Sequence, residues 1–243
     1  MNAIEISGLV KDYGPRRAVD GLDLTIREGE LLSLLGVNGA GKTTTIKILS
    51  CLLPPTQGSV TVLGHPLGRE NTAIKALIGV SPQETAVAEH LTVLENLDFL
   101  AGVHGLTGAR GKARVNEVLD QFSLAPVARQ RAATLSGGWQ RRLSIAMALI
   151  GQPRILFLDE PTLGLDVLAR QELWQVIRSL QGKVTILLTT HYMEEAQALS
   201  DRVCIMNQGR RQALGTPEEL IRQTGTDRLE DAFLRIVTGG TAQ

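Results

Sequence analysis

The chain has 243 residues, 43% of them hydrophobic, and its 25 lysines and arginines balance 25 aspartates and glutamates. That is enough apolar material for one large domain or two small ones, and a net charge near zero removes the electrostatic case for a nucleic-acid partner, which needs a basic face or stripe. Two cysteines, Cys51 and Cys204, are too few for a metal site; both lie in apolar runs and read as small buried hydrophobes in a reducing compartment.

The N-terminal "MNAIEISGLVKDYG" lacks the apolar core of a signal peptide. "AIEISGLV" and "VDGLDLTI" alternate apolar and polar positions, as half-buried strands do. "GELLSLLG" is a continuous apolar run, the pattern of a buried parallel strand. "KTTTIKILSCLL" then reads as a helix stopped by Pro54 and Pro55, and "GSVTVLG" and "ALIGVS" as two more strands. From about Glu84 to Ile150 the period is helical, with no convincing strand. From Arg154 strands and helices alternate again: "RILFLDE", then "VLARQELWQVIRSL" capped by Asp166, then "KVTILLTT", "MEEAQALS" and a hairpin around "NQG" in "RVCIMNQGRRQAL". Two short helices close the chain, from Pro217 and from about Asp227. The pairs Arg141-Arg142 and Arg210-Arg211 read as solvated helix and turn positions. Nowhere does an apolar run approach the ~20 residues of a membrane span, so the expectation is a cytoplasmic chain that meets a membrane only through a partner. The order of elements predicts an α/β domain with a helical insertion.

Three stretches carry chemistry. "GVNGAGKT", Gly36 to Thr43, follows an apolar strand and opens a helix, the context a P-loop requires. Its glycines let successive backbone N–H groups point at phosphate oxygens. Lys42 reaches the β- and γ-phosphates, and the Thr43 hydroxyl coordinates Mg²⁺. "RILFLDEP" ends in Asp159, placed at a strand's carboxyl edge to hold the metal, and Glu160, placed to orient and deprotonate water. Two acids there are costly to desolvate without a reason. "LSGGWQRRLSIAMALI" places Ser136 as the cap of a helix whose first turn is Gly137 and Gly138, a second anion-binding helix end.

Together with "SPQE" and "LLTTHYMEEA", these stretches occur in the order of the ATPase subunits of ABC transporters, which the chain resembles from Ile4 to about Val237. The resemblance implies a P-loop NTPase core with an N-terminal antiparallel β subdomain, 1–83 and 151–215, an inserted helical subdomain, 84–150, and short C-terminal helices, 216–243. ATP would be bound by Gly36, Val37, Asn38, Gly39, Ala40, Gly41, Lys42, Thr43 and Thr44, with Tyr13 resembling the aromatic that stacks on adenine. Gln83 resembles the glutamine that meets Mg²⁺ and the attacking water, and His191 the histidine that contacts the γ-phosphate. Tyr13 is also readable as a half-buried turn residue and Gln83 as an ordinary strand-end glutamine. Asp166 resembles the aspartate that crosses to a partner subunit. In this family two chains stack head to tail, either two copies or a chain with a paralogue, and Ser136, Gly137 and Gly138 serve the partner's ATP. The departure is Trp139, where the family usually has glutamine. The implied partner is an integral membrane permease on whose cytoplasmic face the ATPase sits, with the segment from Glu84 to about Gly105 as docking surface. "THYMEEAQALSDRV" and "LEDAFLRIV" look most like the exporter branch of drug-resistance and sodium-efflux ATPases.

Two rival readings stay open at this point. Soluble relatives act on DNA or ribosomes, but those carry long heptad coiled coils or two cassettes, and this chain has neither. A regulatory cassette without activity would have lost its lysine or base, and here Lys42, Glu160 and His191 are all present.

Overall fold

The structure, a computed structural model, describes residues 1–239; the end of the expected C-terminal helical segment, 240–243, lies outside the described residues. The chain runs β1 (Asn2–Tyr13), β2 (Arg16–Arg27), β3 (Leu31–Leu35), α1 (Lys42–Leu49), β4 (Gln57–Val62), β5 (His65–Pro66), α2 (Asn71–Leu77), β6 (Ile78–Ser81), α3 (Val93–Val103), α4 (Gly108–Gln121), α5 (Gly137–Leu149), β7 (Ile155–Asp159), α6 (Val167–Leu180), β8 (Thr185–Thr190), α7 (Met193–Leu199), β9 (Arg202–Asn207), β10 (Arg210–Gly215), α8 (Pro217–Thr224) and α9 (Leu229–Thr238). Contacts divide it into two units, one of Met1–Ala76 with Gln181 onward, the other of Leu77–Leu180.

In the first unit an antiparallel sheet has the order β2-β1-β4-β5. Ile4 and Ile6 of β1 face inward opposite Ile26 and Leu24 of β2, as the alternation predicts. Beside it in sequence, β3 is flanked by parallel β8 and β9, and β10 pairs antiparallel with β9. Every residue of β3 and β8 is buried: β3 is apolar but for Ser33, as its near-continuous run predicts, while β8 buries Thr185, Thr189 and Thr190 beside its apolar residues. Helices α7, α8 and α9 cover this sheet through Ala196, Leu220, Leu229 and Phe233, packed with Leu35, Val203 and Ile205. The "NQG" hairpin is a two-residue turn between Asn207 and Arg210, with positive φ at both Gln208 (49°) and Gly209 (78°), the type I′ geometry that suits strand twist.

The helix after the P-loop is shorter than predicted. It ends at Leu49, not at the prolines: the Ser50 hydroxyl donates back to the Ile46 carbonyl (2.8 Å), Cys51 turns left-handed (φ 58°), and the Leu52 and Leu53 amides close onto Lys47 O. Cys51 is therefore half-buried beyond the helix end, whereas Cys204 is fully buried in β9. The predicted strand "ALIGVS" is one-third helix: Ala76 and Leu77 end α2, and only Ile78–Ser81 are extended.

In the second unit β6 and β7 form a parallel pair. Gly79 of β6 lies so close to α5 that a Cβ there would meet Ala148 O at 2.2 Å, a contact only glycine permits. Leu143, Ile145, Ala146 and Leu149 of α5 are all buried. Arg114 of α4 donates to Leu149 O (2.5 Å) and Ile150 O (3.1 Å), supplying partners for carbonyls that a helix end leaves open. Helix α3 starts in a capping box between Thr92 and Glu95. The fold is the expected α/β class: a P-loop core, an antiparallel β subdomain and a helical insertion.

Candidate active site

In the first unit the loop between β3 and α1 is shaped by close backbone approach. A Cβ on Gly36 would lie 2.5 Å from Met206 O, and one on Gly41 (φ 102°) 2.5 Å from Ala18 O. The loop is tied at three points: Gly36 N donates to Thr190 O (3.3 Å), Ala40 N to Val37 O (3.1 Å), and Gly209 N to Ala40 O (3.1 Å). Lys42 opens α1 and is only 5% exposed; its ammonium donates to Gly36 O (2.7 Å) and Val37 O (3.3 Å). Gly41 is the N-cap, so no side chain caps the helix, and its first turn has no acid. The open amides, the helix dipole and Lys42 together make an anion site. Thr43 and Thr44 lie half-buried on the first turn, Ala40 is buried, and Val37, Asn38 and Gly39 are exposed.

The bond from Gly36 to Thr190 brings the end of β8 to the loop, and His191 follows at once. Its ring is 4.1 Å from that of Tyr192. Tyr13 sits opposite Arg16 at the end of the β1–β2 ladder, 46% exposed, with the Lys11 ammonium 5.5 Å over its ring.

In the second unit β7 is buried throughout and ends in Asp159, 4% exposed; Glu160, 6% exposed, follows with a left-handed φ of 48°. For a residue with a Cβ that conformation is sparsely populated. Gln83 is exposed just after β6, but its carbonyl accepts from Arg141 Nη1 (3.1 Å). Ser136 has N-cap backbone angles, as expected for the start of α5, yet its hydroxyl makes no cap hydrogen bond. Gly138 packs closely, 3.1 Å from the Ala169 side chain for an added Cβ. Asp166 does cap α6, accepting from Ala169 N (2.9 Å). Trp139 is half-buried with the Arg142 guanidinium 4.9 Å over its ring.

A sequence profile of the family described as ABC transporter matches residues 19–163. The chain belongs to the ABC transporter family. It is 45% identical, over 96% of its length and 74% of the relative's, to the daunorubicin resistance ATP-binding protein DrrA3 of Streptomyces coeruleorubidus. It is 42% identical to a Nod factor export ATP-binding protein of Paraburkholderia xenovorans, over 94% and 76% of the two chains. Among solved structures it resembles an ATP-binding subunit of an ABC transporter (TM-score 0.85, 29% identity, 96% and 99% covered). It also resembles a dimeric ATP-binding cassette in a post-hydrolysis state with ADP and Pi (TM-score 0.79, 28% identity, 88% and 98% covered). This chain is an ABC ATPase.

The ABC ATPase holds one buried group that its sequence hides. Arg141 and Arg142 are not solvated, as expected, but 4% and 8% exposed. Arg142 pairs with Glu172 and stacks on Trp139. Arg141 donates to the backbone carbonyls of Pro82, Gln83, Asp159 and Pro161. A signal was available: "LSIAMALI" has no polar stripe, so a helix bearing it is buried on all sides and its arginines need partners. Arg210 and Arg211 are exposed as expected, though Arg210 pairs with Asp20 (2.7 Å) and Arg211 donates to Asp23 O (2.8 Å).

Proposed function

We propose that this ABC ATPase converts ATP hydrolysis into outward transport through a separate membrane permease. The observation that carries the ATP-hydrolysing part of the reading is the P-loop: a buried lysine at an uncapped helix N-terminus, inside a loop that only glycines can form. Such a site binds phosphates and is electrostatically matched to charge developing on them. The resistance and export functions named for the relatives support the outward direction and weigh against action on DNA or ribosomes. Among the described residues no helix is long and apolar enough to cross a membrane. The proposal therefore assigns the membrane path to a partner and the ATPase to its cytoplasmic face, with residues 84–105 as the docking segment.

The roles follow from the chemistry of each group. Lys42 binds the β- and γ-phosphates and stabilises charge that grows on their oxygens. Amides from Gly36 to Thr44 cradle the same groups, and Tyr13 stacks on the base. Glu160 takes a proton from the attacking water, Gln83 orients that water, and His191 holds the γ-phosphate. The Thr43 hydroxyl, the Asp159 carboxylate and the Gln83 amide are hard oxygen donors on a first helical turn, a strand end and the segment after a strand, a set that fits Mg²⁺ shared with a nucleotide. Mg²⁺, when bound, neutralises charge between the β- and γ-phosphates. Ser136, Gly137 and Gly138 are assigned to the ATP of a head-to-tail partner, a second copy or a paralogue, and Asp166 to the contact with it.

The test is Glu160→Gln, which keeps shape and removes the base. ATP binding should persist while turnover falls by about 10²-fold or more, in the range expected for loss of general-base catalysis. Turnover equal to the parent's would overturn the assignment of the base.

A further inference from the structure

The group left without a role in the hydrolysis just proposed is Arg141. It stands one turn into α5, 4% exposed, and its guanidinium reaches two segments far away in sequence. Nε donates to Pro161 O (2.7 Å) and Nη2 to Asp159 O (2.6 Å). Nη1 donates to Pro82 O (2.5 Å) and Gln83 O (3.1 Å).

The pattern is specific. A guanidinium offers a planar fork whose Nε and Nη2 protons point the same way. Here that edge grips the carbonyls on either side of Glu160, the residue held at φ 48°. A left-handed conformation in a residue with a Cβ persists only where its surroundings over-determine it. Arg141 fixes the peptide before Glu160 and the one after Pro161, so the backbone between them cannot relax without breaking a charge-assisted bond. The remaining nitrogen holds the segment that carries Gln83. One side chain thus holds the backbone on either side of Glu160 and the backbone at Gln83, and it does so from the helix that begins at Ser136.

We infer that Arg141 is a positioning residue for ATP hydrolysis, holding Glu160 in its strained geometry and tying it to Gln83 and to α5, the signature helix that begins at Ser136, Gly137 and Gly138. The inference rests on the reading of Glu160 as base. A lysine at 141 is a point donor on a flexible stem and cannot span both carbonyls with fixed geometry, while a glutamine keeps a planar amide with two protons and no charge.

The experiment compares Arg141→Lys and Arg141→Gln with the parent in the full chain, together with Glu160→Gln and the double variant Arg141→Lys/Glu160→Gln. It reads kcat, KM, ATP affinity by equilibrium binding of a fluorescent ATP analogue, and the thermal unfolding midpoint. Arg141→Lys should lower kcat at least tenfold while nucleotide affinity stays within about twofold, since the P-loop is untouched. Its effect should be several-fold smaller in the Glu160→Gln background, read in single-turnover assays, because a base that is absent cannot be mispositioned and only the tie to Gln83 is left to lose. A merely structural arginine would lower activity by the same factor in both backgrounds. Parent-like kcat in both Arg141 variants, or equal factors with and without Glu160, would overturn the inference. If one variant fails to fold, the other carries the comparison. Failure of the base reading shows separately, as a Glu160→Gln chain that still turns over.

Discussion

The Lys42 ammonium, 5% exposed, donates to two acceptors of its own loop, Gly36 O and Val37 O. Hydrogen bonds to charged groups are worth about 1.5–3 kcal/mol each, enough to offset much of the desolvation and to hold the ammonium at the head of α1. The two cysteines show how far burial alone changes a side chain. Burial disfavours the thiolate. It pushes the fully buried Cys204 thiol up to about 12. Cys51 is also raised by burial, partly countered by Lys75, but it is only half-buried beyond the end of α1. At pH 8 a disulfide reagent should therefore find at most one thiol in the native chain, Cys51, reacting more slowly than a free cysteine. Both should titrate at once in guanidinium chloride. Two fast thiols in the native protein would contradict the burial of Cys204 in β9.

The β9–β10 hairpin matters to the P-loop beyond its place in the sheet. Met206 O walls off Gly36, and the turn residue Gly209 donates to Ala40 O and accepts from Asp20 N. Gly209→Ala would put a Cβ 2.9 Å from Ala18 O at a φ of 78°. The conformation alone costs about 1–2 kcal/mol for a residue with a Cβ, and the backbone contact adds to it. The variant should lower the unfolding midpoint by several degrees and weaken ATP binding, because the turn that tethers the loop must shift. An unchanged affinity would mean the loop holds its shape without the hairpin. The turn itself was legible, since "NQG" is a two-residue hairpin signal, and β3 was legible because a strand buried on both faces leaves a near-continuous apolar run. Helix α2 was not, because its seven residues bury only Ile74 and show no period. The P-loop, Asp159 and Glu160 could be read because their residue types carry the chemistry. The burial of Arg141 was signalled but its role was not: among its partners are the carbonyls of Pro82, Gln83, Asp159 and Pro161, and a backbone partner leaves no trace in residue identity. For the same reason nothing in "LDEP" announces the left-handed Glu160.

At the scale of the whole molecule the question is why one chain carries two phosphate-type helix ends, α1 after the P-loop and α5 after Ser136. A two-fold dimer gives each a use, since symmetry that sets one chain's P-loop against its partner's signature helix must also do the reverse. The resemblance to a dimeric cassette supports a dimer; which helix end meets which nucleotide is for experiment to decide. If the signature acts on the partner's nucleotide, Ser136→Arg should leave ATP binding by the monomer nearly intact. It should block ATP-dependent dimerisation, seen by sedimentation in a Glu160→Gln background where the dimer persists. The arginine would obstruct a helix end that faces the partner's γ-phosphate, while the chain's own P-loop is unaltered. Mixing decides the matter. A Lys42→Ala chain keeps its signature, and a Ser136→Arg chain keeps its P-loop, so neither alone can form a complete site in trans. Paired, they form one complete site and one doubly broken one, and the mixture should trap roughly one ATP per dimer, as two-fold symmetry requires. Trapping is the fairer readout than turnover, because the two sites of a dimer can depend on each other. If Ser136→Arg instead weakens ATP binding by the monomer as strongly as Lys42→Ala does, the helix end at Ser136 serves its own chain's nucleotide, and the head-to-tail arrangement fails.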